Sequence, residues 1–371
     1  MSRAKVVLVR CENYDEPQVQ RSIEKGVALL GIRNQLEVEK VLIKPNCLSP
    51  KSPPLCVTTH PSVVRAVVRI FKPSCQEITV ADQPGGAHGE KALQTSGIKS
   101  VADGEGVRVT TFDREGYERV ELAGLLKDGY FAKAYLQSDL VVSLPKLKTH
   151  AQTKFTGAVK NVFGAVPLKT RRLAHSLAEL LSEAVVDIYS FSPPALNIMD
   201  AVWAMEGDGP SQGQPRYLGL ILLSEDAVAL DAVASYLIGF DPMEIHTTRI
   251  AHVRGLGVGD LQEIETIGED PDAYRKRFKP PMNLFMKNAK LLSWLLYSIS
   301  SVKPKFYRRH CDRCEGCVDV CSVDAISMNP YPLIDYDRCI ECFSCAEICG
   351  QDAIKPKRMF HLPLLGKLTG G

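Results

Sequence analysis

Long apolar runs are missing from this 371-residue chain. The amino-terminal MSRAKVVLVR holds an apolar stretch of only four residues, and the stretch from Leu291 to Val302 is twelve residues long. A spanning helix needs roughly twenty, and a signal peptide needs a longer apolar core than the first of these. A cytoplasmic protein is therefore the expectation. Net charge is nearly absent as well: 45 Lys and Arg against 43 Asp and Glu leave +2. No global field draws the chain to nucleic acid, so any basic character that matters is local. The glycines form neither a Walker loop nor a G-x-G-x-x-G turn, so no nucleotide is specified. With 45% hydrophobic and 24% charged residues, what remains is a globular composition, large enough for one α/β domain and something small.

Cysteine is sparse over most of the length. Cys11, Cys47, Cys56 and Cys75 show no ligand spacing and read as small buried hydrophobes. The other eight crowd into CDRCEGCVDVC (311–321) and CIECFSCAEIC (339–349), each with the spacing C-x2-C-x2-C-x3-C. This pattern resembles the bacterial two-cluster [4Fe–4S] ferredoxins, with Ser322 and Gly350 where proline usually follows the fourth cysteine. Three closely spaced thiolates can wrap one face of a cubane while the fourth cysteine reaches the other cluster. Cys311, Cys314, Cys317 and Cys349 are thereby assigned to one cluster, and Cys339, Cys342, Cys345 and Cys321 to the second. CSVDAI (321–326) also matches CGQDAI (349–354), as a pseudo-two-fold module requires. Zinc uses C-x2-C pairs too, but it takes four ligands and not interleaved sets of this kind. The spacing predicts electron transfer and sensitivity to oxygen.

Over the first 270 residues, β-rich runs alternate with helical ones. Strands are expected at 4–11, 39–46, 76–84, 106–113, 139–146, 195–202 and 217–224, and helices at 17–31, 60–72, 171–190 and 226–239. Continuous apolar strands separated by helices imply a three-layer doubly wound α/β fold with a mostly parallel sheet covered on both faces. The cysteine-rich part adds a small α+β bacterial ferredoxin-like domain.

Ligands of open α/β sheets bind beyond the carboxyl ends of the strands. Here four apolar runs end in polar residues: Lys44, Asn46 and Cys47; Asp82 and the loop GGAHG; Lys146, Lys148 and His150; Asp200 and MEGDGP with Glu206 and Asp208. One polar crevice accounts for all four. Lys44, Lys146, Lys148 and Lys160 offer charges for phosphate or carboxylate, and Gly157 and Gly164 let backbone N–H groups approach an anion. Asp82, Asp200, Glu206 and Asp208 suit Mg²⁺ or proton transfer, and His150 and His175 titrate in the useful range. The bland alternative for each lysine is a solvated loop charge; strand-end placement of the group argues against it.

LIKPN, TTHPSVV, ADQPGG, LPKLKTH, TGAVKNVFG, His175, IMDAVWAMEGDGP and SEDAVALDAVASYLIG together resemble the family called domain of unknown function 362. The resemblance runs from about residue 4 to 260, and members often carry a carboxyl-terminal ferredoxin module. It implies an iron–sulfur protein of anaerobic or anaerobically adapted metabolism, and it implies site roles for Lys44, Asn46, Asp82, Lys146, Lys148, His150, Lys160, Asn161, Asp200 and Glu206. It names no substrate.

Three units follow: an α/β domain (1–270), a linker (271–309) with an apolar, lysine-flanked helix at 283–302, and the two-cluster module (310–371). The helix suits packing of the module on the α/β domain, a homodimer contact or a peripheral membrane contact. The tail KPKRMFHLPLLGKL is similar. The expected function is an oxidoreductase that receives electrons from a donor protein, or passes them to an acceptor. They travel through two [4Fe–4S] clusters to an anionic small molecule in the crevice, with a flavin or divalent metal as a second cofactor there. The other class is an electron-delivering binding or metal-cofactor maturation protein without turnover.

Overall fold

The computed structural model describes residues 3–32, 38–85, 89–177, 180–282 and 300–360. The chain forms β1 (Ala4–Arg10), β2 (Val38–Pro45), β3 (Cys75–Asp82), β4 (Arg108–Thr111), and a side hairpin of β5 (Tyr117–Glu121) and β6 (Asp128–Ala132). It continues through β7 (Leu140–Leu144), β8 (Lys146–His150), β9 (Lys154–Thr156), β10 (Leu196–Glu206), β11 (Gln214–Ser224) and β12 (Ile264–Gly268). Ten of these strands make one sheet, ordered β12-β1-β11-β10-β7-β2-β3-β4, with β8 joined to β10 and β9. Neighbours are parallel except where β11 meets β1 and β10, and where β9 returns along β8. This is a mixed α/β fold around a large, mostly parallel sheet.

Both faces of the sheet are covered. Successive side chains of a strand point to opposite faces. Val41 and Ile43 accordingly join one apolar layer with the helices α1 (Glu16–Leu30) and α2 (Pro61–Phe71), while Leu42 joins the other. Leu222 between Ile221 and Leu223 repeats the alternation on β11, beneath the helices Leu181–Phe191 and Ala227–Leu237. Pro61 opens α2 with its φ already helical, and His60 Nδ1 accepts from Ser62 N at 3.2 Å as the cap.

Two expected elements divide. The run 139–146 is two strands, because Pro145 has no N–H for the ladder. β7 pairs with β2 and the start of β10, and β8 pairs farther along β10, with Lys146 opposite Asp200 and Lys148 opposite Met205. The stretch 171–190 is also divided, into Leu168–Ser176 and Leu181–Phe191. The first carries Arg171, Arg172 and His175, whereas the second buries Val185, Val186 and Ile188 in the core; one straight helix would have to present both to the same neighbours.

The cysteine-rich segment is built as a repeat. β13 (Ser300–Phe306) pairs antiparallel with β16 (Ile354–Phe360), and β14 (Ile326–Met328) with β15 (Pro332–Ile334). One-turn helices, Gly316–Asp319 and Ser344–Glu347, follow equivalent cysteines. Positive φ recurs at Arg313 and Glu341, at Glu315 and Phe343, and at Asp324 and Asp352, each pair 28 positions apart. Val302, Val320, Ile326, Phe343, Ile348 and Ile354 form its core. Residues 300–302, expected in the linker helix, instead begin β13, because their backbone is paired with β16. The remainder of that helix, 283–299, and the tail 361–371 lie outside the described residues, as do 86–88 of the glycine loop. Among the described residues no helix is long and apolar enough to cross a membrane.

Candidate functional site

Two buried ion pairs lie among the strand-end residues. Lys44, at the end of β2, donates from Nζ to Asp82 Oδ1 of β3 at 2.5 Å, and Asp82 Oδ2 accepts from Cys47 N at 2.7 Å. Lys146 Nζ donates to Asp200 Oδ2 and to the Tyr14 hydroxyl, both at 2.8 Å. Tyr14 in turn donates to Asp200 Oδ1 at 2.8 Å, His60 N donates to Asp200 Oδ2 at 2.9 Å, and the Tyr14 and His60 rings stack 3.6 Å apart. Lys44 and Lys146, expected to meet an anionic ligand, thus already hold carboxylates of this chain.

The glycines serve the same internal chemistry. A Cβ on Gly164 would stand 2.5 Å from Asp82 Oδ1 and 2.9 Å from Lys44 Nζ. A Cβ on Gly157 would stand 2.1 Å from Asp231 Oδ1. The backbone of that turn holds the Asp231 carboxyl, which accepts from Ala158 N at 2.6 Å and Val159 N at 3.0 Å and is raised by burial to about 7.

With these pairs are cations without carboxylate hydrogen bonds. Lys148 Nζ donates to Asn46 Oδ1 at 2.7 Å and to Val57 O at 2.8 Å. Asn46 Nδ2 donates to Asn161 Oδ1 at 3.3 Å, and Asn161 Nδ2 to Ser143 Oγ at 2.9 Å, so the two amides fix Lys148 from below. Burial, and after it Lys160 and Lys146, lowers Lys148 to about 7. Lys160 lies 5.3 Å from the Phe163 ring centre and is also lowered, mainly by desolvation. His150 Nδ1 accepts from Gln152 N at 3.1 Å and Thr153 N at 3.4 Å. Burial and Lys160 keep the ring neutral, so its proton resides on Nε2 as a donor. His175 stands edge-on to Phe163, with Nδ1 3.0 Å from Gln152 Oε1, and burial lowers it to about 3.

The cysteine module closes this group from above. Glu347, on the helix between Cys345 and Cys349, is buried with Oε1 3.8 Å from His150 Nε2. Among the described residues neither atom has a hydrogen-bond partner. Desolvation raises Glu347, against the pull of Lys160 and Lys148. Arg172 Nη2 donates to Cys321 O and Asp324 Oδ1, both at 2.5 Å, while Lys51 and Gln212 bind Asp352 at 2.6 Å each. Asp324 and Asp352 occupy equivalent places in the repeat, so the α/β domain grips both halves. Ile348 fills the space a side chain on Gly85 would need.

Glu206 and Asp208 are drawn elsewhere. Glu206 Oε2 accepts from Lys279 N at 3.1 Å and lies 4.0 Å from Arg216, and Asp208 accepts from Met282 N at 2.7 Å. Among the described residues, no three His, Cys, Asp or Glu side chains gather as a group that could hold one metal ion.

The eight cysteines fall into two interleaved neighbourhoods. Cys311, Cys314, Cys317 and Cys349 line one cavity with Phe306 and Ile348. Burial, then Cys314, Cys349 and Cys311, pushes the Cys317 thiol up to about 12. Cys345 is raised by burial and then by Cys342, Cys339, Cys317 and Cys321. Backbone N–H groups of Arg313, Ala325 and Ala353 donate to the sulfurs of Cys311, Cys321 and Cys349 at 3.3, 3.1 and 3.2 Å. By contrast, Cys47 is fully enclosed, and burial followed by Asp82 raises its thiol.

Tyr14, Arg171 and Glu347 belong to the site without a sequence signal of their own. Arg171 donates to Gln83 O at 3.0 Å and leaves a buried Nε without an acceptor. The acidic residue in the last C-x3-C spacer could have drawn notice to Glu347, but Asp319 holds the equivalent place and is exposed.

A solved structure of the lactate racemase apoprotein from Thermoanaerobacterium thermosaccharolyticum is 12% identical, with a TM-score of 0.40 over 66% of this chain. The match spans 58% of that protein. The Thylakoid-associated protein sll1697 of Synechocystis sp. is 29% identical over 264 residues, 68% of this chain and 79% of its own. The model of the family described as Domain of unknown function (DUF362) matches residues 41–236, more than half of the length. With its paired strand-end lysines and aspartates inside that span, the chain belongs to the DUF362 family.

Proposed function

We propose that this protein is an iron–sulfur oxidoreductase that delivers electrons to an anionic substrate or second cofactor in the lysine-rich crevice. The observation that carries the reading is the position of Glu347, two residues from a cysteine of each set and 3.8 Å from His150 of the crevice. The segment that joins the cysteine sets is the segment that covers the cations.

The cysteines fit the cofactor. Cys311, Cys314, Cys317 and Cys349 would hold one [4Fe–4S] cluster, and Cys339, Cys342, Cys345 and Cys321 the other. The first set lines one cavity, which suits a cubane held by four thiolates. The N–H donors to Cys311, Cys321 and Cys349 suit thiolate sulfur. Bound there, the clusters supply one-electron transfer.

In the crevice, Lys148, Lys160 and Arg171 outnumber Glu347, and this excess favours an anion, whether a carboxylate, a phosphate or a phosphate-bearing flavin. His150 Nε2–H is positioned to donate to such a group. Lys148, lowered to about 7, can give a proton to a reduced substrate near neutrality and regain it from solvent. A divalent metal has less support, because Asp82 and Asp200 already hold ammonium groups.

Anaerobically prepared protein should carry about eight irons and eight sulfides. After reduction with dithionite it should be reoxidised by a small anionic acceptor or by added flavin. Lys148→Gln should stop that reoxidation and leave iron content and reduction by dithionite intact. Zinc in place of iron would remove the cofactor assignment, and undiminished reoxidation in the variant would favour the binding or maturation reading.

A further inference from the structure

The ribbon of β13 and β16 carries a charge pattern that works against its own stability. Its register sets Lys303 opposite Lys357 and Lys305 opposite Lys355. Directly opposed residues share a face, so four ammonium groups stand on one side, while Val302 and Ile354 are buried on the other. Like charges opposed across a ladder are destabilising. The repulsion registers at Lys305, which is lowered by its contact with Lys357 and then by that residue's charge. Glu341 lies 4.0 Å from Lys303, and the Tyr336 ring centre 5.4 Å from it. Lys355 and Lys357 are exposed, and the exposed Tyr307 sits 5.9 Å from Lys305. None of these lysines bonds to the crevice, so an external anion is the natural source of compensation.

The flanking sequence distinguishes what kind of anion. Ser300 pairs with Phe360, so the chain before β13 and the chain after β16 meet the ribbon at the same end. Before it runs NLFMKNAKLLSWLLYSI (283–299), and after it HLPLLGKLTGG (361–371), both rich in leucine and dotted with lysine. An acidic protein partner needs only the charges; an anionic bilayer uses cationic and apolar residues together, and stable attachment takes both signals. We infer that the lysine face of this ribbon docks on an anionic lipid surface. The inference stands apart from the redox reading, since vesicle binding can be measured without turnover.

The experiment is co-sedimentation of the full chain with vesicles of phosphatidylcholine, with and without about one-third phosphatidylglycerol, combined with thermal melting. Binding should require phosphatidylglycerol and weaken with salt. Lys305→Gln with Lys357→Gln should reduce partitioning about thirty-fold. The same variant should melt no lower than the wild type, because it relieves repulsion; a merely structural role for the lysines would lower the melting temperature. Equal binding to pure phosphatidylcholine would overturn the inference. So would unchanged partitioning in the variant, a self-associated state that the variant dissociates, or binding to an acidic redox protein with none to vesicles.

Discussion

Lys146 illustrates what burial does to a single charge. Its pairing with Asp200 gives little net stability in comparison with an apolar pair, yet removing one partner leaves the other charge enclosed and uncompensated. Lys146→Met should cost about 3–5 kcal/mol, and adding Asp200→Asn should recover part of the loss in denaturant unfolding. Lys148 behaves differently because it lacks a carboxylate. Burial holds its amine at about 7 in the folded chain, well below the 10.5 of a solvated lysine. Between those values the unfolded chain holds a proton that the folded chain lacks, so stability rises with pH across this window, and the full cost of burying the charge is present below it. Lys148→Met should therefore show a flatter rise between pH 7 and 10 in urea melts; parallel curves would refute the assignment. At Gly157 a methyl group would strike Asp231. Gly157→Ala should cost about 1–3 kcal/mol, and should be less than additive with Asp231→Ala. Lys44 and Lys146 were legible because each follows an apolar run. Their partners were not, since Lys44 meets Asp82 across 38 positions and Lys146 meets Asp200 across 54, distances over which a pattern of residue types says nothing of pairing.

Among the elements, the cysteine repeat is the most nearly self-specifying. CSVDAI and CGQDAI mark equivalent turns, and the structure places equivalent N–H donors there, from Ala325 to Cys321 and from Ala353 to Cys349. Left-handed residues in the repeat are Arg, Glu, Phe and Asp, so no glycine advertised the turns. Interleaving predicts that Cys321→Ala removes iron from the set built on Cys339, Cys342 and Cys345 and leaves about half of the total, checked by iron analysis and cluster spectra; loss confined to the first set would contradict it. The elements that hold the repeat in place are separate from it. Arg172→Ala with Lys51→Ala and Gln212→Ala should release both Asp324 and Asp352, and hydrogen exchange in 311–354 should quicken while β7 and β10 stay protected. The division of 139–146 at Pro145 was visible in the residues, whereas the change of neighbours from β2 to the far part of β10 depends on where β10 lies.

For the whole molecule, the sheet and its polar edge followed from alternating apolar and helical runs, while the closing of that edge by the cysteine module did not. Nothing local to CAEIC tells a carboxylate to face His150. The crevice takes residues from almost the full length of the chain, from Tyr14 to Glu347, and these are synthesised far apart in time. Lys44, Lys148 and His150 leave the ribosome with their strands well before residue 347 exists. A nascent copy therefore passes through an interval in which the sheet can form while its positive cleft is uncapped. Chains stopped after residue 282 should resemble that interval, exchanging phosphate with solution more rapidly than the 371-residue chain does. The segment that shuts the cleft is made well after the lysines, so its synthesis times the moment at which access to these cations becomes restricted.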